Sequence, residues 1–170
     1  NTGNGDVAVL FEVVNNNFPA NAGQTTFGGV EDAAVTKLNT SGVLQWATYF
    51  GGDLNERVNN DINSGRITFD GIGDIIFCGC TFSSNFPSNI NTYRPASVVT
   101  GDWFVTKLVG GTGARSWATQ YGGGNIDAAN NLCVDGSNNI IVVGFSINNA
   151  IPFPTTSNAF KPIANSGSGA

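Results

Sequence analysis

The chain has 170 residues, enough to bury one sizeable core, with 12 acidic against 7 basic side chains, a net charge of −5 and 11% charged residues. That balance excludes a binder of phosphate backbones, which needs a basic face, and a membrane-surface protein built on a cationic amphipathic helix. Apolar residues still reach 41%, so the chain is folded and turn-rich rather than disordered.

In chain order, the first apolar stretch is Gly5-Asp6-Val7-Ala8-Val9, closed by Phe18-Pro19. Asp32–Leu38 reads as a strand, ended by the turn Asn39-Thr40-Ser41-Gly42 with a glycine for positive φ. Val43–Phe50 is the next strand and stops at Gly51-Gly52. Arg66–Asp70 follows, then the tight Asp70-Gly71-Ile72-Gly73 connection, Asp74–Thr81 and Phe86-Pro87. Asp102–Leu108, Ala114–Tyr121, Leu132–Asp135 and Asn139–Ser146 run through the same series again and end at Phe153-Pro154. Lys37 to Lys107 is a step of 70 residues, Trp46 to Trp117 of 71, Asp70 to Asp135 of 65 and Pro87 to Pro154 of 67. Landmarks in one order at nearly one spacing establish an internal repeat.

Ile75-Ile76-Phe77-Cys78 and Ile140-Ile141-Val142-Val143 are apolar on both faces, whereas a strand with one wet face would alternate. With no helical pattern to cover them, sheet stacked on sheet remains. Four short strands per unit of about 68 residues predict an all-β fold, a β-propeller with four-stranded blades, of which about two and a quarter are present. On this reading residues 1–31 hold the last strand of a preceding blade and a connection, 32–101 a blade, and 102–170 a second blade and the connection onward. A closed ring needs about four to eight blades, so further blades of a parent chain, or copies of this one, are expected partners. The chain starts at Asn1 without a methionine, which suggests a processed chain or a fragment.

Asp102-x-Phe104-Val105-x-Lys107-Leu108, Trp117-Ala118-Thr119-x-Tyr121-Gly122-Gly123, Asp127-x-Ala129, Val134-Asp135-Gly136-x-Asn138 and Phe153-Pro154 together resemble the bacterial β-propeller repeat family, over nearly the whole chain. The resemblance implies a propeller in a large secreted or surface-anchored bacterial protein. Such repeats occur in Bacteroidetes surface proteins, gliding adhesins exported by type IX secretion among them. Ala33-Ala34 in place of the aromatic, and Asn55-Glu56-Arg57-Val58 after Gly51-Gly52, depart from the pattern.

Lys37 and Lys107 recur at one strand position, where a lysine could serve catalysis. A stem packed between sheets, with its ammonium on a repeated acid such as Asp70 or Asp135, explains them more simply. Trp46 and Trp117 read as inter-blade core; Trp103, present in one unit only, is the candidate for a ligand surface, sugar included. The three Phe-Pro pairs are expected to pin connections between blades. Asp70–Asp74 and Asp135–Asn139 resemble calcium loops only faintly, lacking a late bidentate Glu, and Asn39-Thr40-Ser41 is a formal glycosylation sequon. Cys78, Cys80 and Cys133 are expected as small buried thiols, with a bridge from Cys133 to one of the others as the alternative; three thiols without histidine make a poor zinc set. With no histidine, no Ser-His or Cys-His relay can form, and Glu12, Glu31 and Glu56 look isolated. The expected function is therefore non-catalytic: an adhesion or protein-interaction module at the bacterial cell surface, without cofactor, metal, nucleic acid or membrane insertion. A carbohydrate-binding or carbohydrate-active propeller and a structural spacer of a surface filament are the alternatives.

Overall fold

The computed structural model describes residues 5–58, 65–89, 101–147 and 153–160. Their regular structure is all strand: β1 Val7–Val13, β2 Asp32–Leu38, β3 Leu44–Phe50, β4 Glu56–Arg57, β5 Arg66–Phe69, β6 Ile75–Thr81, β7 Asp102–Leu108, β8 Arg115–Tyr121, β9 Asp127–Val134 and β10 Ile140–Ser146. Pairing is antiparallel throughout. β1-β2-β3 form the first sheet, and β9-β10 form the third. In the middle sheet β6, β7 and β8 lie side by side, and β4 and β5 share the remaining edge of β6. No helix among the described residues is long and apolar enough to cross a membrane.

Repeat-equivalent strands occupy different sheets: β1, β6 and β10 in turn, then β2 with β7 and β3 with β8. The layers are phased differently from the units read off the sequence. The long connection before Asp102 was expected to separate blades, yet β6 pairs with β7 along their whole length, from Ile75↔Leu108 to Thr81↔Asp102. The chain leaves one sheet for the next at the short Gly51-Gly52 and Gly122-Gly123 corners instead. Likewise β1 is no orphan; it pairs with all of β2. The physical reason is steric. A Gly-Gly step can turn sharply where two carboxylates crowd its backbone, whereas a long connection can return to its own sheet.

The start of the β9 strand was also missed. Glu56 pairs with Thr81 as Asp127 pairs with Ser146, and Arg66 pairs with Cys78 as Asn131 pairs with Val143. Glu56 and Arg66 are ten positions apart, Asp127 and Asn131 four. The first repeat thus carries six additional residues that split one strand into β4 and β5.

The expectation of strands covered on both faces holds for the middle sheet. All seven residues of β6 are buried. On one face Ile75, Phe77, Phe104, Leu108 and Ala118 meet Ala33, Val35, Trp46 and Phe50 of the first sheet. On the other, Ile76, Cys78 and Val105 meet Ala129 and Leu132 of the third. Phe104 lies over Gly79, where an added Cβ would stand 2.9 Å from its ring; the two are cross-strand partners. The first sheet makes the same pair with sizes exchanged, Phe11 opposite Ala34. The aromatic missing from Ala34 in the repeat pattern has moved across the ladder, which keeps the layer's volume.

The outermost faces carry apolar side chains in water: Val7 and Val9 on the first sheet, Ile141, Val143 and Phe145 on the third. Val9 and Phe77 hold equivalent positions, paired with Thr36 and Thr106, yet only Phe77 is enclosed. Phe77→Ala should therefore cost about 3–5 kcal/mol in urea unfolding, and Val9→Ala within about 0.5 kcal/mol of nothing.

Candidate functional site

Both repeat lysines are ion-paired to aspartates of their own sheet, and Lys37 also reaches the neighbouring layer. Lys107 Nζ lies 2.7 Å from Asp70 Oδ2 and 3.1 Å from Asp74 Oδ2. Lys37 Nζ lies 3.0 Å from Asp6 Oδ2 and donates to the Gly110 carbonyl of the neighbouring layer at 3.0 Å. Asp6 is the repeat counterpart of Asp74, so the expected structural pairing is present, with Asp70 as partner but not Asp135. Burial pulls the Asp70 carboxyl upward, but hydrogen bonds from Lys107 and from the Ile72 and Asp74 amides outweigh it and hold the carboxyl below the usual range. The same Asp70 contact raises the Lys107 ammonium.

The two faint calcium loops are Asx turns. Asp70 Oδ1 accepts from the Ile72 and Asp74 amides, and Asp135 Oδ1 from the Ser137 and Asn139 amides. Gly73 and Asn138 take the equivalent left-handed positions at φ 87° and 63°. Oxygens already holding N–H groups are spent as cation ligands. Asn39 closes a turn in the same manner, accepting from the Ser41 and Val43 amides.

Trp46 sits in the core as expected and donates its indole N–H to Gly110 O across the layers at 3.0 Å. Trp117 is half-buried against the cluster joining the middle and third sheets. Of the Phe-Pro pairs, Phe86 bridges two sheets as expected, whereas Phe18 and Phe153 pack on one sheet each. Phe86 packs on Phe50 of the first sheet and Phe104 of the middle one, and Phe18 packs on Phe11 and Tyr49. Cys78 and Cys80 are buried free thiols, each pushed up to about 12 chiefly by burial. Cys133 differs from expectation: it is exposed and free, because its strand belongs to the third sheet and its side chain falls on that sheet's outer face.

Trp103 heads an aromatic recess of about 330 Å³ lined also by Val105, Thr119, Tyr121 and Phe153. The Phe153 ring stacks on Trp103 at 5.6 Å and 13°, and Tyr121 meets both edge-on. The Tyr121 hydroxyl donates to the Pro154 carbonyl. The Trp103 indole N–H is buried without a partner among the described residues. One repeat earlier the same positions are Ala33, Val35, Thr48, Phe50 and Phe86. There the middle sheet covers them, Phe104 resting on Phe50 and Phe86.

The sequence reading missed a pair of buried carboxylates at each crossing between sheets. Asp32 and Glu56 are both 0% exposed. A Cβ on Gly51 would lie 2.3 Å from Glu56 Oε2 and 2.4 Å from Asp32 Oδ1. At the second crossing a Cβ on Gly122 would lie 2.4 Å from Asp102 Oδ1 and 2.6 Å from Asp127 Oδ2. Glu56 accepts from the Thr81 hydroxyl (2.7 Å) and the Gly52 amide (2.9 Å); Asp127 accepts likewise from the Gly123 amide (2.6 Å). Burial pushes Glu56 up to about 7, against the hydroxyls of Ser83 and Thr81 and the Gly52 amide, while the charge of Asp32 adds to the rise. Asp32 is raised, again by burial, with the Gly28 and Gly29 amides opposing. Glu12 and Glu31 are no more isolated. They touch one another, and Glu31 is raised by burial and by that neighbour, with Arg57 opposing. The signal was present: an acid follows the second glycine by four residues in both repeats. A Glu in one and an Asp in the other hid it.

No family model matches the sequence, and no curated protein matches it.

Lys107→Met should lower stability at neutral pH by about 1.5–3 kcal/mol, leaving the Asp70 charge short of its strongest donor. The sign with pH follows from a depressed carboxyl: the wild-type advantage is present above the unfolded carboxylate pKa and fades as pH falls through the folded one. Urea unfolding of both proteins across that range reads it directly.

Proposed function

We propose that this chain is a non-catalytic part of a β-propeller in a secreted or cell-surface bacterial protein, where it serves as a scaffold for adhesion or protein interaction. The observation that carries the reading is the stacking: equivalent strands sit in successive antiparallel sheets, packed face to face, with both outermost faces still apolar. A stack that ends in exposed Val9 and Val143 is built to continue. Further repeats of the parent chain fit those ends, and the Trp103 recess is the seat for the next pair of strands, as the Ala33–Phe50 face seats Phe104. The repeat family it resembles places such modules on bacterial surfaces, gliding adhesins included. The lysine ion pairs and the buried carboxyl pairs recur in both repeats, which fits a structural role better than a single reactive centre. The stack then supplies stiffness and its polar, Asn-rich turns supply contact surface.

An antibody against this chain should label intact cells of the organism that encodes it. Deleting the segment from the parent protein should reduce attachment to a surface several-fold. Label confined to permeabilised cells would overturn the surface assignment, and unchanged attachment would leave the spacer of a surface filament as the better account.

One observation favours a carbohydrate-binding reading: the stacked Trp103 and Phe153 rings beside an indole N–H with no acceptor. Aromatic faces with a converging donor suit a sugar. If that recess holds glycan in the intact parent protein, Trp103→Ala should cost at least ten-fold in affinity on a glycan array. If a further repeat fills it, the array stays blank for both proteins.

A further inference from the structure

We propose that the first crossing between sheets, at Asp32 and Glu56, holds a single proton between its two buried carboxyl groups, so that the stack of layers is tightened in acid and loosened as pH rises. At the first crossing Asp32 Oδ1 and Glu56 Oε2 close on the same point beside the Gly51 backbone. Asp32 is fully buried, and its Oδ1 has no hydrogen-bond partner among the described residues. Its Oδ2 is occupied, accepting from the Gly28 amide (2.8 Å) and from Gln24 Nε2 (3.3 Å). A buried oxygen of that kind costs free energy unless a donor reaches it. An oxygen of a second carboxyl closes on the same space, so a proton is the ligand that satisfies both.

A metal ion fits worse. The other three oxygens of the pair already accept from N–H or O–H groups, an arrangement that stabilises negative charge and leaves few lone pairs for a cation. Among the described residues no group of three or more side-chain ligands gathers.

The charged and titratable surroundings point the same way. Glu56 has Asp32 from β2 beside it and takes the Glu31 carbonyl with its own amide at 2.7 Å. Glu12 of β1 accepts from the Val58 amide at 2.6 Å and contacts Glu31. Cys80 of β6 feels both Glu56 and Asp127, so the two crossings are neighbours. Arg57 is the cation at hand, 3.8 Å from Glu31 and over the Phe82 ring. Burial raises both Asp32 and Glu56. A carboxyl raised by folding favours the folded state fully below its unfolded pKa, and that contribution is lost as pH rises through the folded value. For Glu56 the window runs from about 4.5 to about 7.

The test compares the chain with Glu56→Gln, which puts a permanent amide donor at that crossing. Thermal unfolding from about pH 4 to pH 8 should show the variant gaining on the wild type by roughly 5–10 °C as pH rises. Parallel profiles would overturn the proposal. So would a wild-type transition that millimolar calcium raises and the variant's does not, since the site would then hold a cation. If the variant does not fold, carboxyl carbon NMR of the wild type decides. Glu56 titrating near neutrality supports the shared proton, and all carboxyls titrating as model acids reject it.

Discussion

The enclosure of the middle sheet is the constraint on which the rest depends. β6 buries every one of its residues, which is possible only if both faces of its sheet meet other apolar faces. That demand fixes the sequence as an unbroken apolar run, and it forbids a half-wet sheet. It also forces the backbone to leave the layer at a corner where nothing bulky can stand. Gly51 and Gly122 supply those corners, and Gly79 supplies the close approach under Phe104. The Phe11–Ala34 and Gly79–Phe104 pairs show the same constraint at the level of volume. One aromatic per rung fills that face of the sheet, and which strand provides it is free.

Much of this was legible. Repeat spacing and doubly apolar strands gave the class of fold, the stacked layers and the inward place of Trp46. Lys37 and Lys107 were readable as structural ion pairs, because a charge repeated in a buried strand needs a repeated partner. What was hidden has physical causes. A repeat has no marked beginning, so the spacing could not say whether layers change at Gly52 or before Asp102; only ladder pairing decides that. Six extra residues concealed the equivalence of Glu56 with Asp127. The exposed Cys133 followed from how many strands cover the third sheet, a count the local pattern does not contain.

The Trp103 recess and the acid crossings differ in kind. Among the described residues, the rung that covers its counterpart in the first repeat has no equivalent against the recess, so its aromatic character reflects unfinished packing as well as recognition. The crossings are buried and their glycine and carboxyl pair recur, although Glu12, Glu31 and Arg57 beside the first become Cys80, Gly101 and Ala128 at the second. A feature that recurs in both repeats belongs to the architecture. One that appears once, such as Trp103 where the earlier repeat has Ala33, is where a particular partner can be read.

The two ends of each layer carry opposite electrostatics. At the end of β2 and β7, lysines meet aspartates, and Asp70 is held low. At their beginning, carboxylates meet carboxylates, and Asp32 and Glu56 are held high. The lysine end therefore loses its contribution in strong acid, while the acid end loses its own between about pH 4.5 and 7. Neither end alone sets an optimum; together they favour mildly acidic conditions. Near neutrality the Gly-Gly corner beside Asp32 and Glu56 is therefore the weaker end of the layer.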